Sequence, residues 1–154
     1  MGRIEMPGDF VSTFCGIQAA VCLAQLGKVD YILERQRKLA ALYTSELKSC
    51  EKIRLPVFER EDCPCYYTIR VDNRDEFYER LARAGIETSR LFNYSTPDTE
   101  PFVQLRDNGS YINTREAAKS ILNLPLYPSL SEDEVKGICT NVVRIAGVLN
   151  HENN

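Results

Sequence analysis

The hydrophobic residues between Phe14 and Leu26 predict a helix that is apolar on nearly every side. Only Gln18 and Gln25 are strongly polar in this stretch. Such a helix needs cover on more than one side, and in a chain of 154 residues the other elements can supply one side at most. We therefore expect a second copy of the chain, or another protein, to supply the rest. The residues expected at this interface are Phe14, Ile17, Val21 and Leu23.

Two long amphipathic helices are predicted, one after the apolar helix and one near the end of the chain. After a break at Gly27, apolar residues recur at intervals of three and four from Val29 to Leu47. The solvated face of this helix is marked by Glu34, Arg35, Lys38 and Glu46. The last helix is predicted to begin with Ser131 and Glu134 as a capping box and to end at Asn150. Its apolar positions are Val135, Ile138, Val142, Ile145 and Leu149.

Four short segments rich in β-branched and aromatic residues predict strands. They are Ile53–Phe58, Cys65–Val71, Ile86–Leu91 and Ile121–Leu124. A helix between the second and third strands is predicted to start at Asn73, with Glu76 completing a capping box, and to stop at Gly85. Its inward residues are expected to be Phe77, Leu81 and Ala84. A second short helix is predicted to start at Asn113 with Glu116 and to end at Ser120.

The order of these elements predicts an α+β fold. Helices should cover one face of a small, mainly antiparallel sheet, and a long helical segment should precede it. The predicted organisation is an N-terminal arm and apolar docking helix at 1–27, a small α+β domain at 28–150 and a tail at 151–154. The loop from Phe92 to Ile112 has little periodicity, and loops this long inside compact domains are usually functional or mobile.

Composition and charge narrow the function classes. With 19 Lys and Arg against 22 Asp and Glu, the net charge is -3 and the charges alternate in sign, so we expect no nucleic-acid partner. No apolar run reaches the roughly 18 residues that a membrane span requires. The N-terminus also lacks the apolar core of a signal peptide, so a cytoplasmic location is expected.

The six cysteines predict reduced thiols rather than a metal site. They are Cys15, Cys22, Cys50, Cys63, Cys65 and Cys139. Most are scattered, and those on predicted helices are expected to behave as small buried hydrophobes. Only Cys63-Pro64-Cys65 is a close pair, and a single intervening residue is the wrong spacing for a zinc or thioredoxin-like loop.

No catalytic constellation is found in the sequence. The single histidine, His151, lies in the terminal tail, and the carboxylates Glu132, Asp133 and Glu134 fit the first turn of a helix, where they complement its dipole. No glycine-rich phosphate loop, nucleophile elbow or paired-histidine zinc motif occurs. We therefore predict no catalytic residue within this chain.

Three segments resemble a known enzyme family. They read GIQAAVCLAQLGKVDYILERQRKLAALYTSEL, YYTIRVDNRDEFYERLARAGIETSRLF and NTREAAKSILNLPLYPSLSEDEVKGI. In order and in motif they resemble the C-terminal small domain of the DegT/DnrJ/EryC1/StrS sugar aminotransferases, over roughly Phe10 to Leu149. The first segment carries that family's pattern at Arg35, Ala40, Tyr43 and Leu47. The resemblance implies the small domain of a fold-type I transferase related to amination of nucleotide-linked keto-sugars, in polysaccharide or antibiotic sugar synthesis.

The resemblance also implies a cofactor that another domain holds. In this family a large domain supplies the lysine that binds pyridoxal phosphate, and the matched segments do not include that domain. The lysines of this chain are Lys28, Lys38, Lys48, Lys52, Lys119 and Lys136. All are predicted to be solvated, so none is expected to act as an amine nucleophile, and no cofactor is expected in the isolated chain.

Two sets of site residues follow from the resemblance. Val11 and Thr13 occupy the positions at which the family contacts the cofactor phosphate of the neighbouring subunit with an amide and a guanidinium, so the charge-assisted contact would be lost. The family's second borrowed element is the loop near the sugar. Its candidate substrate residues here are Arg90, Asn93, Tyr94 and Thr96, with the threonine where many members place a histidine.

Three hypotheses remain open at this point. The chain is a separate small domain that works with a lysine-bearing large-domain partner, and is inactive alone. Alternatively, it is a non-catalytic oligomerisation or nucleotide-sugar-binding module derived from that fold. The third hypothesis is a remnant, or a piece of a longer gene product, without a separate role.

Overall fold

The protein has an α+β fold, as predicted, with five helices and a three-stranded sheet in the part of the chain that the structure describes. A computed structural model describes residues 15–59, 61–91, 93–100, 102–105 and 111–149. The helices are α1 (Gly16–Leu26), α2 (Val29–Leu47), α3 (Arg74–Arg83), α4 (Ile112–Ser120) and α5 (Glu132–Leu149). The strands are β1 (Ile53–Arg54), β2 (Tyr67–Val71) and β3 (Ile121–Leu124). Short 3-10 turns occupy Thr96–Asp98 and Phe102–Leu105.

The sheet is antiparallel throughout, with β2 in the centre between β1 and β3. β1 and β2 are shorter than predicted, whereas β3 has the predicted bounds. The segment after Arg54 leaves the sheet, because Pro56 has no N–H to donate to a ladder. The predicted strand at 86–91 is reduced to one β-bridge between Ser89 and Asn123. β3 directly follows α4 and is itself followed by Pro125, so it offers few residues for strand pairing.

The core lies between one face of the sheet and three helices. Along β2, Tyr67, Ile69 and Val71 are buried and alternate with partly exposed Thr68 and Arg70. The buried residues of α2, α3 and α5 that join the same core are Leu39, Ala40, Tyr43, Leu47, Phe77, Leu81, Val135, Ile138, Cys139, Val142, Ile145, Ala146 and Leu149. The predicted inward face of the last helix is confirmed in full. In α3, however, Ala84 is exposed, and the prediction that it turns inward is wrong.

Two of the three predicted capping boxes are absent. Asn73 and Tyr111 precede α3 and α4 in the left-handed region, with φ of 53° and 77°, and neither side chain caps its helix. Asn113 therefore lies inside α4 rather than at its start. The left-handed conformation turns the side chain away from the amides that an extended N-cap residue would face.

The capping box at the start of α5 is confirmed. The Ser131 N–H donates to Glu134 Oε2 at 2.7 Å, and the Glu134 N–H donates to Ser131 Oγ at 3.2 Å. The hydrogen bonds that the Ser131 N–H and the Ser131 hydroxyl donate to Glu134 Oε2 lower the pKa of Glu134, because they favour its charged form. Gly85 adopts a φ of 77°, so the predicted left-handed stop after α3 is also confirmed.

Two side chains of α2 brace it against the segment between β3 and α5. The Arg35 guanidinium donates to the carbonyl oxygens of Leu130, at 2.8 Å, and Pro128, at 3.4 Å. The Tyr43 hydroxyl donates to the Pro125 carbonyl at 2.9 Å. Arg35 is thus partly buried, and its predicted place on the solvated face is wrong, because the prolines leave carbonyls that need a donor.

Candidate functional site

The helix α1 has no buried residue. Its most exposed large side chains are Ile17 at 79%, Leu23 at 70%, Leu26 at 66% and Val21 at 56%. The expectation that the rest of the chain covers one side of it is wrong, since only Ala19 is even half-buried. Cys15 and Cys22 are exposed too, contrary to the expectation for cysteines on this helix, whereas Cys139 is buried. The helix runs ahead of α2 and contributes no residue to the described core.

The exposed surface of α1 has the properties of a docking surface. Between Gly16 and Leu26 there is no charged residue, and apolar patches of this kind on a folded protein mark interaction sites. A helix of 11 residues gains little stability by itself and depends on packing. Burying one leucine or isoleucine side chain is worth about 1.5–3 kcal/mol. Ile17 and Val21 lie one turn apart on one face of α1 and Leu23 lies on the opposite face, so the helix exposes apolar side chains on two sides that a partner would stabilise.

The first residue of the candidate substrate loop, Arg90, is already paired. Its Nη1 lies 3.0 Å from Asp75 Oδ1, and its guanidinium sits 4.2 Å above the centre of the Tyr78 ring. Asp75 also accepts from Arg74, which is buried and donates to the Ala118 carbonyl at 2.6 Å. The hydrogen bond from Arg90 is the main reason why the pKa of Asp75 is lowered. In this structure Arg90 fixes the start of the loop to α3.

The rest of the candidate substrate loop is attached to α4. Asn93, Tyr94 and Thr96 are exposed, and Thr96 begins the first 3-10 turn. The turn is tied to α4 by a two-pronged ion pair, in which Arg115 Nε and Nη2 donate to the two Asp98 carboxylate oxygens at 2.7 and 2.8 Å. The described part of the loop thus presents three neutral polar side chains from a backbone anchored at both ends.

A cleft of about 630 Å³ lies between the segment after α3 and the N-terminal half of α5. Asn123 forms part of its wall; its Oδ1 accepts from Thr68 at 2.6 Å, and its Nδ2 donates to Ser89 Oγ at 3.2 Å. The Thr88 hydroxyl in the same wall is buried without a hydrogen-bond partner among the described atoms. No lysine or arginine is among the described residues that line the cleft. A phosphate or diphosphate would therefore lack a cationic partner there.

Several predicted site residues lie outside the described residues. These are Val11, Thr13, Phe14 and His151. All six lysines are described and all are exposed. None of them therefore has the buried setting in which desolvation activates an amine for attachment to an aldehyde cofactor. Within the described ranges, no group of three or more metal-ligating side chains occurs, and no helix is long and apolar enough to cross a membrane.

Sequence reasoning missed the residues that brace the loop and the long helix. Arg74, Asp98 and Arg115 were not singled out, because a charged residue on an amphipathic helix is usually solvated, and pairs distant in sequence carry no local signal. Arg35 was predicted to be solvated, and Tyr43 was named only as part of a resemblance. A signal was present for them, since Pro125 and Pro128 predict backbone carbonyls outside regular structure that require donors.

Comparison with known proteins identifies one family. The family model for the DegT/DnrJ/EryC1/StrS aminotransferase family matches residues 12–143. A curated relative, the UDP-2-acetamido-2-deoxy-3-oxo-D-glucuronate aminotransferase of Pseudomonas aeruginosa, is 29% identical over 125 residues, which make up 80% of this chain and 34% of the relative. The chain thus spans about a third of the length of this relative.

Solved structures agree with the fold. DesV of S. venezuelae, in complex with a ketimine intermediate, matches with a TM-score of 0.78 and 28% identity over 84% of this chain and 36% of its own. The PLP-form of the putative sugar aminotransferase Spr1654 from Streptococcus pneumoniae matches with a TM-score of 0.74 and 22% identity, over 88% of this chain and 36% of its own. The second match supports the fold alone.

Proposed function

Because the chain belongs to the DegT/DnrJ/EryC1/StrS aminotransferase family, we propose that it forms the small C-terminal domain of an enzyme that aminates nucleotide-linked keto-sugars. It acts with a large domain that carries the cofactor lysine, and by itself it is inactive. The chain matches only about a third of each relative, which supports a separate large domain that carries the cofactor lysine. The enzyme would serve polysaccharide or antibiotic sugar synthesis in the cytoplasm, as a dimer or a larger assembly.

The observation that carries the proposal is that no residue of α1 is buried. In the proposal, Ile17, Val21 and Leu23 pack on the large domain or on a second copy, and this contact places the rest of the small domain. Because α2 follows α1 after only Gly27 and Lys28, the docked helix also sets the direction of α2. The hydrogen bonds from Arg35 to Leu130 and from Tyr43 to Pro125 then fix the start of α5 relative to α2.

The candidate loop is the part of the domain that faces the substrate in this proposal. Asp75 and Tyr78 hold Arg90, and Arg115 holds Asp98, so the segment between them keeps one position when the domain docks. Asn93, Tyr94 and Thr96 then offer neutral hydrogen-bonding groups to the hydroxyls of a sugar. Pyridoxal phosphate, bound by the large domain, supplies the amino-group chemistry when present.

The test is reconstitution with the lysine-bearing large domain, produced on the same chain or as a separate one. The chain alone should retain no pyridoxal phosphate after gel filtration and should not aminate a UDP-linked keto-sugar. With the large domain present, the cofactor should be retained and the amino sugar should form. Cofactor bound covalently to this chain alone, or no activity from the combined domains, would refute the proposal.

A matched pair of variants tests whether reconstitution depends on α1. Val21→Glu with Leu23→Glu places two charges on the apolar surface and should abolish reconstitution, because a charge would have to be buried against the partner. Val57→Glu is the control, since Val57 is 92% exposed in the loop after β1, away from α1. The control should reconstitute as well as the wild type. Equal loss in both variants would show that α1 has no special role.

A non-catalytic oligomerisation or nucleotide-sugar-binding module is the second candidate. It is favoured by the pairing of Arg90 with Asp75 and by the neutral residues Val11 and Thr13 at the family's phosphate positions. A thermal-shift screen of nucleotide sugars separates the two candidates. Stabilisation by a nucleotide sugar without cofactor and without the large domain would favour the binding module.

A further inference from the structure

The cleft of about 630 Å³ beside the bridge between Ser89 and Asn123 is not used by the proposed function. Its volume lies within the range of about 300–1,000 Å³ that small-molecule sites occupy. We propose that this cleft binds a free amino sugar, a polyhydroxy ring with one primary ammonium group and no phosphate. None of the four candidate substrate residues of the loop lines the cleft, so the site is separate and does not require the large domain.

The charges of the cleft favour a cationic ligand. Glu87 and Glu134 line it, and no lysine or arginine is among its described lining residues. Arg90, which follows Ser89 in the chain, is paired with Asp75 instead. An anionic ligand would be repelled by the two carboxylates, whereas an ammonium group is attracted to either of them. The cleft therefore selects an amine and disfavours a compound that carries phosphate.

Glu134 has a carboxylate oxygen available for the ammonium group. The Ser131 N–H and hydroxyl both donate to Oε2 of Glu134, at 2.7 and 2.8 Å. Among the described residues, none donates a hydrogen bond to Oε1. The two bonds from Ser131 hold the carboxylate in one orientation and in its charged form. A charged acceptor of this kind forms stronger hydrogen bonds to an ammonium group than a neutral acceptor does.

Two tyrosines give the cleft aromatic walls. Tyr66 and Tyr127 both line it, with 48% and 47% of their surface exposed. The face of a tyrosine ring attracts an ammonium group, and its apolar surface packs against the carbon–hydrogen face of a sugar ring. Ile86 and Leu126 add apolar surface to the same walls. A ring that carries an ammonium group therefore fits these walls better than a linear polyamine does.

Polar side chains in the wall match the hydroxyl groups of a sugar. Asn123 is only 5% exposed and is fixed by its bonds with Thr68 and Ser89, which use one of its two amide hydrogens. The Ser89 hydroxyl accepts from Asn123 and retains its own hydrogen for a further bond. Thr88 is 8% exposed, and its hydroxyl has no partner among the described atoms. Buried polar groups are normally hydrogen-bonded, so an unpartnered one beside a cleft indicates a place for a polar ligand.

The test is an NMR titration of the full chain, without the large domain, with glucosamine. The backbone amide signals of Ser89, Asn123 and Gly137 should shift in a saturable way. N-acetylglucosamine has the same ring without the charge and should bind about tenfold more weakly, because a charge-assisted hydrogen bond is lost. Cyclohexylamine has the charge without the hydroxyl groups and should also bind more weakly. Shifts that do not saturate, shifts confined to other residues, or equal affinity for either analogue would overturn the proposal.

Glu134→Gln tests the carboxylate, with Asp133→Asn as its control. Glutamine also serves in a capping box, so the start of α5 should be kept while the charge is removed. Affinity for glucosamine should fall about tenfold. Asp133 belongs to the same first turn of α5 but does not line the cleft, so Asp133→Asn should bind as the wild type does. Equal affinity in all three proteins, or an equal loss in both variants, would contradict the role of Glu134 and with it the proposal.

Gly137→Leu tests the location of the ligand, with Gly147→Leu as its control. Both glycines lie in α5, and a Cβ atom at either position meets no atom within 4 Å. Only Gly137 lines the cleft. Because leucine is a better helix former than glycine, both variants should keep the circular dichroism of the folded domain. Gly137→Leu should lose saturable binding of glucosamine, and Gly147→Leu should retain it. Wild-type affinity in Gly137→Leu would overturn the proposal.

Discussion

At the scale of single residues, the side chain of Tyr43 connects α2 with β2 and with the segment that leads to α5. Its ring stacks on Tyr67 of β2 with centroids 4.8 Å apart, and its hydroxyl donates to the Pro125 carbonyl. Burial raises the pKa of this hydroxyl, so it remains a neutral donor. One residue of α2 thus fixes both the sheet and the segment that leads to α5.

Tyr43→Phe should destabilise the fold by about 1–2 kcal/mol, because the Pro125 carbonyl loses its donor while the ring packing stays. Urea unfolding measures the change. Tyr31→Phe is the matched control, since Tyr31 is 64% exposed on the same helix, and it should leave the free energy of unfolding unchanged. Equal stability of Tyr43→Phe and the wild type would contradict the structural role of this hydrogen bond.

The pair Asp75 and Arg90 predicts a pH dependence. The pKa of Asp75 is lowered in the folded protein, chiefly by the hydrogen bond from Arg90, so the pair stabilises the fold above the unfolded pKa of about 3.9. That stabilisation is lost as the pH falls through the lower folded pKa. In Arg90→Gln the pKa of Asp75 should rise, as measured by NMR titration of its carboxyl carbon. Arg83→Gln, which removes an exposed pair with Glu79, should not change it.

At the scale of elements, periodicity predicted the helices that carry the core. α2 and α5 were predicted because their apolar residues recur at helical intervals over many turns, which averages out single exceptions. The strands were predicted in the right places but too long at 53–58 and 86–91. Strand length depends on partners distant in sequence, and β3 offers partners to the segment after α3 only at Asn123.

Helix starts were less predictable than helix existence. The Ser131 box was confirmed, yet Asn73 and Tyr111 enter their helices through left-handed conformations that an N-cap pattern does not reveal. The candidate loop was predicted as one segment, but not its anchors. Arg115 and Asp98 are far apart in the sequence, and nothing local to either residue indicates the other.

The anchor between the 3-10 turn and α4 gives a prediction for the loop. Arg115→Gln should remove the two-pronged pair with Asp98, and amide hydrogen exchange at Thr99 and Val103 should become faster. The Thr99 amide donates to the Thr96 carbonyl of this turn, and the Val103 amide donates to the Thr99 carbonyl that follows it. Arg83→Gln is the control, since it breaks an exposed pair on α3. Unchanged exchange at both amides would contradict the anchoring role.

At the scale of the whole molecule, the described part of the chain consists of a packed α+β domain with one unpacked helix ahead of it. The core contains residues of α2, α3, α5 and all three strands, and none from α1. The apolar character of α1 could be predicted from the sequence, whereas its cover by a partner stays a prediction. What covers it could not be predicted, because the chemistry of a docking surface specifies an apolar partner and not its identity.

The domain boundary belongs to this scale as well. The prediction of a docking helix up to residue 27 and a domain from residue 28 stays a prediction, although the helix break at Gly27 and Lys28 is compatible with it. The fold, by contrast, is supported by solved relatives with TM-scores of 0.78 and 0.74. In the proposal, this chain takes part in the family's activity only together with a large domain that carries the cofactor lysine.

Sedimentation velocity of the chain mixed with the lysine-bearing large domain tests the central claim most directly. If α1 is the docking surface, the wild type should sediment as a complex, and Val21→Glu with Leu23→Glu should sediment as separate components while keeping the circular dichroism of a folded domain. The control Val57→Glu should form the complex. A wild-type chain that stays a well-behaved monomer in the mixture, or a complex that survives the two charges on α1, would contradict the account.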